Sequence, residues 1–324
     1  MTDVDLLVEP LLQELEEGFD GVQVAAIGGG HGLAAALRAI LDYADVVTGV
    51  VGVADDGGSS GRLAPGLDIP PPGDIRRALL AVTDQPSLWR SLIEYRFEDS
   101  DVAGHSLGNL IIAAMAEIGG DFAEAVNTVG RMLGTRGAVI PVAPTRLDLE
   151  ADVDGAVVRG QVAVARSRGV ITDVRVLPEG VAASPRALEA LEAADQIVLG
   201  PGSLFTSLIA PLKVPGVVES VNRSEASLVY VCNLTTQDGE TLGLTGLQHL
   251  EALIAIGGLR TPDAIVAHDG PLAIPPGLDR VELDHASLGD AGIRLETGDV
   301  ADPDADWPQH DAARLGAVLR RLVP

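Results

Sequence analysis

Ala54-Asp55-Asp56-Gly57-Gly58-Ser59-Ser60-Gly61-Arg62-Leu63 follows directly on an apolar run, Val46 to Val53. A buried strand that stops in two carboxylates, three glycines and two hydroxyls is how open α/β sheets build ligand sites, at the carboxyl ends of their strands. Upstream, Val22 to Ile27 runs into Gly28-Gly29-Gly30-His31-Gly32, and Leu33 to Leu41 has helical character. Two glycine-rich strand ends within one βαβ length predict an anionic or nucleotide ligand. Tight turns alone do not need so many glycines beside paired acids.

The rest of the chain suits the same fold. Of its 324 residues, 47% are hydrophobic and only 3% aromatic, so the core must rest mainly on Ala, Val, Leu and Ile. That composition fits an α/β chain with a doubly wound, mostly parallel sheet covered by helices. The 47 acidic residues outnumber 22 basic ones, giving a net charge of −25. A field of that sign repels nucleic acid and anionic membrane surfaces, so a phosphate-bearing ligand needs local helix N-termini and arginines. Cys232 is the only cysteine, which excludes an intrachain disulfide and a cysteine-based zinc site. The chain shows neither a secretory pattern at its start nor an apolar run of membrane-spanning length, and a soluble, cytoplasmic protein without stable membrane insertion is expected.

Residues 1–21 form an acidic extension in which Leu6, Leu7, Leu11, Leu12 and Leu15 predict an amphipathic helix over 3–19. One α/β body is expected over 22–324. Within it, 138–178 reads as an antiparallel β insertion: Leu147 to Val153 alternates, Asp154-Gly155 makes a hairpin turn, and Val157 to Ala165 alternates again. Such an insertion is expected to carry contacts of a homo-oligomer or a lid. Ser184 starts a helix to about Ala194. Strands follow at Gln196 to Leu199, Leu228 to Val231, Ile265 to Ala267 and Arg280 to Leu283, and Pro308 to Leu322 closes the chain as a helix.

The strand ends at 28–32, 55–61, 200–203 and 233–236 should converge on one cleft. Gly29, Gly30, His31 and Gly32 lack the spacing of a dinucleotide fingerprint, but they suit a phosphate-cradling turn feeding a helix N-terminus. Asp55 and Asp56 admit three roles: Mg²⁺ ligands beside ligand phosphates, acceptors for a ribose or sugar hydroxyl, or turn caps. Ser59, Ser60 and Arg62 share that loop, where the fork of Arg62 can grip a phosphate. Asp74 is placed to cap the helix from Ile75. Arg76 and Arg77 then fall in its first turn, unfavourably for the helix dipole, which assigns at least one of them to an anion. Ser106 fits an N-cap, with His105 and Asn109 pointing into the cleft. Gly104-His105-Ser106-Leu107-Gly108 spells a nucleophile elbow, but the acidic stretch before it is no strand, which argues against a hydrolase. Gly202, Ser203, Asn233 and Thr235 lie on the two remaining strand ends.

These motifs, in this order, resemble the gluconeogenesis factor family (YvcK-like proteins), relatives of the 2-phospho-L-lactate transferase CofD. The matching pieces are Gly28 to Leu33, Ala54 to Leu63, Pro71 to Arg76, Gly104 to Leu110, Leu199 to Ser207 and Asn233 to Glu240. Thr206 joins the ligand-binding candidates through this resemblance. The resemblance implies a Rossmann-like fold and a regulator that binds UDP-sugars such as UDP-N-acetylglucosamine. It also implies a link from carbon metabolism to cell-wall synthesis proteins and cell shape. The alternative it carries is a transferase, with Mg²⁺, that moves a phospholactyl group from a nucleotide diphosphate donor to a deazaflavin precursor. One departure stands near the C-terminus. Many members read Arg-His-Asp where this chain has Gln309-His310-Asp311, so an arginine expected at the nucleotide sugar is absent.

Overall fold

The computed structural model describes residues 21–83, 86–283 and 285–324. In chain order the strands are β1 (Gln23–Gly28), β2 (Val46–Val51), β3 (Ala138–Pro141), β4 (Asp148–Val153), β5 (Ala156–Arg159), β6 (Ile171–Leu177), β7 (Gln196–Leu199), β8 (Ser227–Val231), β9 (Ala264–His268) and β10 (Arg294–Gly298). Seven of them form one parallel sheet in the order β10-β9-β8-β7-β1-β2-β3, and β5-β4-β6 form an antiparallel sheet. From β1 the chain winds outward through β2 and β3, and from β7 it winds the other way. The β1–β7 boundary is therefore the topological switch point, where open sheets leave a crevice beyond their carboxyl ends.

β1 is apolar from Val24 to Ile27 because it is covered on both sides there. Val24 and Ala26 face one layer, Ala25 and Ile27 the other. The first layer holds helices α1 (Gly30–Ile40), α2 (Gly58–Leu67), α3 (Pro72–Ala81), α4 (Leu88–Glu94), α5 (Leu107–Gly119) and α6 (Phe122–Leu133), with the C-terminal helix Ala312–Leu319 against α1. α1 opens on glycine, a poor helix former, yet it buries Leu33, Leu37 and Ile40 completely or nearly so. Each such side chain stabilises the packed state by roughly 1.5–3 kcal/mol, which outweighs the propensity deficit of about 1 kcal/mol per glycine. The antiparallel sheet joins the second layer through Leu149, Ala151 and Val153 of β4.

Several sequence expectations are corrected. Ala138–Pro141 is not part of the antiparallel insertion but the edge strand of the main sheet, paired with β2; the insertion proper spans 148–177. Val157 to Ala165 does not continue as a strand, because β5 ends at Arg159 and Gln161–Val164 forms a helical turn. Arg280 to Leu283 makes a single bridge, Arg280 to Thr235, and the last strand is β10. The loop expected through Gly61 is cut short at Gly57, so Ser59, Ser60 and Arg62 stand on α2. The final helix begins at Ala312, four residues later than expected, after an Asp311 cap that accepts the Arg314 N–H. The expected helix over 3–19 lies outside the described residues.

Candidate functional site

A cleft of about 470 Å³ opens at the switch point, beyond the carboxyl ends of β7, β1 and β2. Its walls are the first turn of α1 (Gly29 to Gly32), Asp55, the start of α2 (Gly57 to Ser60), Gly73, Asp74, Arg76 and Arg77 of α3, and Arg96 with Asn109. Gln161, Gly202, Ser203, Ser207 and Gln237 complete them. Gly32 lets the two halves of this rim meet. A Cβ there would stand 2.0 Å from the Pro201 carbonyl oxygen, so only glycine brings α1 onto the Gly200-Pro201-Gly202 turn.

Three helix N-termini face this region, and they differ in what already occupies them. At α1 the Gly30 N–H donates to Asp74 Oδ2 at 2.8 Å, and Asp74 also accepts from Arg77. The expectation that Asp74 caps its own helix is overturned: it is the third residue of α3 and meets the first N–H of α1 instead. At the π-helix Leu204–Ile209, the Phe205 and Thr206 N–H groups donate to Glu240 Oε2 at 3.1 and 3.3 Å, and the Thr206 hydroxyl donates to Oε1 at 2.6 Å. Burial pushes the Glu240 carboxyl up, against those three donors. At α2 no side chain caps the helix. Asp55 Oδ1 takes the Gly57 N–H at 2.9 Å, one step before the helix, and among the described residues no acceptor meets the N–H groups of Gly58, Ser59 or Ser60.

Behind α2 lies a buried polar chain. Arg76 Nε donates to Asn109 Oδ1 at 3.0 Å, Asn109 Nδ2 donates to Ser59 Oγ at 3.0 Å, and Ser59 Oγ lies 2.9 Å from His105 Nδ1. Ser106 accepts the Asn109 N–H and caps α5 as expected, while Ser60 Oγ accepts the Gly73 N–H. The segment before Ser106 contributes one isolated bridge, Arg96 to Ser106, which is not the strand an elbow requires. Arg76 is only 7% exposed and makes no ion pair among the described residues. Burial, then Arg77 and Arg96, pull its guanidinium down to about 10, which leaves it charged at neutral pH. Burial first, and then Asp74, push the Asp55 carboxyl up. Burial, then Arg77, Arg38 and Arg76, hold the His31 imidazole below its ordinary value.

A Mg²⁺ ion asks for one or two carboxylates and completes its shell with ligand phosphates. Asp55 fits that demand. Asp74 is already engaged by Gly30 and Arg77, and no group of three metal-binding side chains converges among the described residues.

Of the residues expected at the site, Gly29, Gly30, His31, Gly32, Asp55, Ser59, Asp74, Arg76, Asn109, Gly202 and Ser203 come together on the cleft wall. The others stand behind it or away from it. Asp56 Oδ1 accepts the Val162 N–H at 2.9 Å and ties the α2 approach to the insertion. Arg62 Nη2 donates to the Ala103 carbonyl, and His105 backs Ser59. Thr206 is bound to Glu240, and the Asn233 amide clamps both the N–H and the C=O of Gly202 at 3.0 and 2.7 Å. Thr235 bridges to Arg280, and Gln309 is exposed outside the cleft lining. Arg96, Gln161, Ser207 and Gln237 were not among the expected site residues, whereas Arg77, one of the two arginines read as placed for an anion, does line the cleft. Ser207 and Gln237 lie within the motifs above, whereas Arg96 and Gln161 carry no local signal.

Against known proteins, the model of a family described as 2-phospho-L-lactate transferase CofD matches residues 24–300. The gluconeogenesis factor of Bacillus subtilis is 38% identical over 312 residues, covering 93% of this chain and 98% of that protein. The gluconeogenesis factor of Halalkalibacterium halodurans is 41% identical over 252 residues, covering 77% and 78%. An X-ray structure of a Bacillus halodurans protein superposes with a TM-score of 0.88 at 36% identity, covering 92% of this chain and 99% of that one.

Proposed function

This chain belongs to the gluconeogenesis factor family, within the wider CofD family, and from that premise we propose that it is a regulator that binds a UDP-sugar, of the UDP-N-acetylglucosamine kind, in the switch-point cleft. The observation that carries the reading is the cleft itself: polar, of nucleotide size, and lined by open backbone N–H groups beside Arg76, with Asp55 as an acceptor for a sugar or ribose hydroxyl. Such a site holds an anion by local donors while the chain as a whole carries −25. Binding would report the supply of activated sugar, which links carbon metabolism to cell-wall synthesis.

The test is a thermal-shift series with UDP-sugars, GDP and NAD, followed by calorimetry on any that act. A ligand at a hundredfold excess over its dissociation constant adds about 2.7 kcal/mol. If no uridine nucleotide moves the melting temperature at millimolar concentration, the reading fails. A second reading, phospholactyl transfer, draws on the CofD match and on Asp55 as a Mg²⁺ ligand. Multiple turnovers with a phospholactyl donor, abolished by EDTA, would favour it.

A further inference from the structure

We propose that the phosphate groups of the ligand dock on the open N-terminus of α2 against Arg76, and that the glycine-rich turn before α1 is closed to them by Asp74. This deepens the nucleotide-sugar reading and rests on it for the identity of the ligand; the oxyanion subsite itself is tested separately.

The two donor sets differ in what they already hold. An anion approaching Gly29–Gly32 meets a carboxylate bonded to the first N–H of α1. The charge of that helix end is answered, and a phosphate would add like-charge repulsion. The start of α2 is the reverse case. It is ten residues long, has no side-chain cap, and leaves the N–H groups of Gly58, Ser59 and Ser60 without acceptors among the described residues. Gly58 keeps a φ of 50°, which glycine tolerates without strain, so the first turn presents these donors to the cleft.

The second observation is independent of the helix. Arg76 is only 7% exposed, and among the described residues no carboxylate lies within ion-pair distance of it, Glu94 and Asp74 acting on it only from farther off. Only its Nε is engaged, by Asn109, and the guanidinium borders the cleft. A desolvated cation without a counter-ion is costly in a folded protein. A ligand oxyanion supplies that counter-ion. Asn109 fixes both parts at once, since its Oδ1 holds Arg76 and its Nδ2 holds Ser59 of the α2 first turn. The planar fork and the helix donors are thereby held in one geometry, suited to a phosphate or diphosphate.

The experiment uses inorganic pyrophosphate, UDP and uridine as probes on the full chain. With ¹⁵N-glycine and ¹⁵N-serine labelling, pyrophosphate should shift the Gly58, Ser59 and Ser60 amides and leave Gly30 in place. Arg76→Met should weaken pyrophosphate at least tenfold and remove most of the advantage of UDP over uridine, while the ligand-free protein melts no lower than wild type. A merely structural Arg76 would instead lower that melting temperature and leave the UDP-to-uridine ratio alone. Shifts at Gly30 to Gly32 without shifts at Ser59 and Ser60 would overturn the proposal, as would a lack of pyrophosphate binding. Pyrophosphate shifts at Ser59 and Ser60 with no UDP-sugar binding would uphold the subsite and sink the nucleotide-sugar reading.

Discussion

The starts of α1 and α2 are neighbours in the sheet and alike in sequence, but opposite in electrostatics. Both follow strands that pair in register, with Ile27 beside Val50, and both open on glycine. One helix end is met by Asp74 and the other is approached by Arg76, and the two side chains stand two residues apart on α3. A step of two residues turns a helix by about 200°, so one first turn serves both neighbours with opposite charges. A glycine-rich turn thus states that a helix N-terminus can bind an anion. Whether that anion is a ligand or a side chain is decided elsewhere in the chain.

The comparison can be broken most severely at Gly32. A Cβ 2.0 Å from the Pro201 carbonyl has no flexible neighbour to displace, so Gly32→Ala should destabilise by about 3 kcal/mol or more, at the upper end of overpacking costs. Urea unfolding measures this, and a loss below about 1 kcal/mol would show that the two turns can separate freely.

Asp74→Asn addresses the difference directly. It keeps a side chain able to accept from Gly30 but removes the charge at the α1 terminus and the partner of Arg77. The expected cost is about 0.3–1 kcal/mol, the range for a charge at a helix end. Anion affinity should rise, because the carboxylate no longer opposes it. A fall in affinity would mean that Asp74 contributes to binding the ligand.

The smallest effect is expected at Asp55, and it depends on pH. Its folded-state pKa is raised above 3.8, mainly by burial and then by Asp74, so its charged form works against folding at neutral pH. The native protein takes up this proton before the unfolded chain does. Asp55→Asn should therefore be more stable than wild type at pH 7, and the gap should close as the pH falls through the raised value towards 3.8. Parallel melts across the pH range, with no closing gap, would contradict a buried Asp55 beside Asp74.

How much of this was legible follows from what each residue depends on. β1, β2, β7 and β8 read clearly because burial on both faces demands mostly apolar runs. β10 did not, since Arg294 and Glu296 on this edge strand are at least partly exposed and pair with each other, which masks the pattern. The alternation at Arg280 to Leu283 imitated a strand, but among the described residues it forms one isolated bridge, Arg280 to Thr235, and no ladder. At the site, the dipole mismatch of Arg76 and Arg77 pointed to an anion in advance. The structure resolves it two ways: Arg77 faces Asp74, and Arg76 faces the cleft. Asp74 was misread because its true partner, Gly30, lies 44 residues away. Gln161 reaches the cleft only because the insertion docks there, through Asp56 and Val162, and no local pattern encodes such a contact.

The winding of the sheet has a kinetic consequence. Gln23 and Asp195, bonded across the β1–β7 seam, are 172 residues apart, whereas β7, β8 and β9 succeed one another at short range. Closing so long a loop is entropically expensive, and non-local pairing slows folding. The union of the two windings rests on contacts far apart in sequence, this seam and the C-terminal helix packed against α1. The cleft straddles the same seam, so a ligand bound there would act as a late clasp. Contacts absent from the folding transition state slow unfolding and leave the folding rate alone. Ligand should thus lengthen the lifetime of the folded protein without hastening its formation.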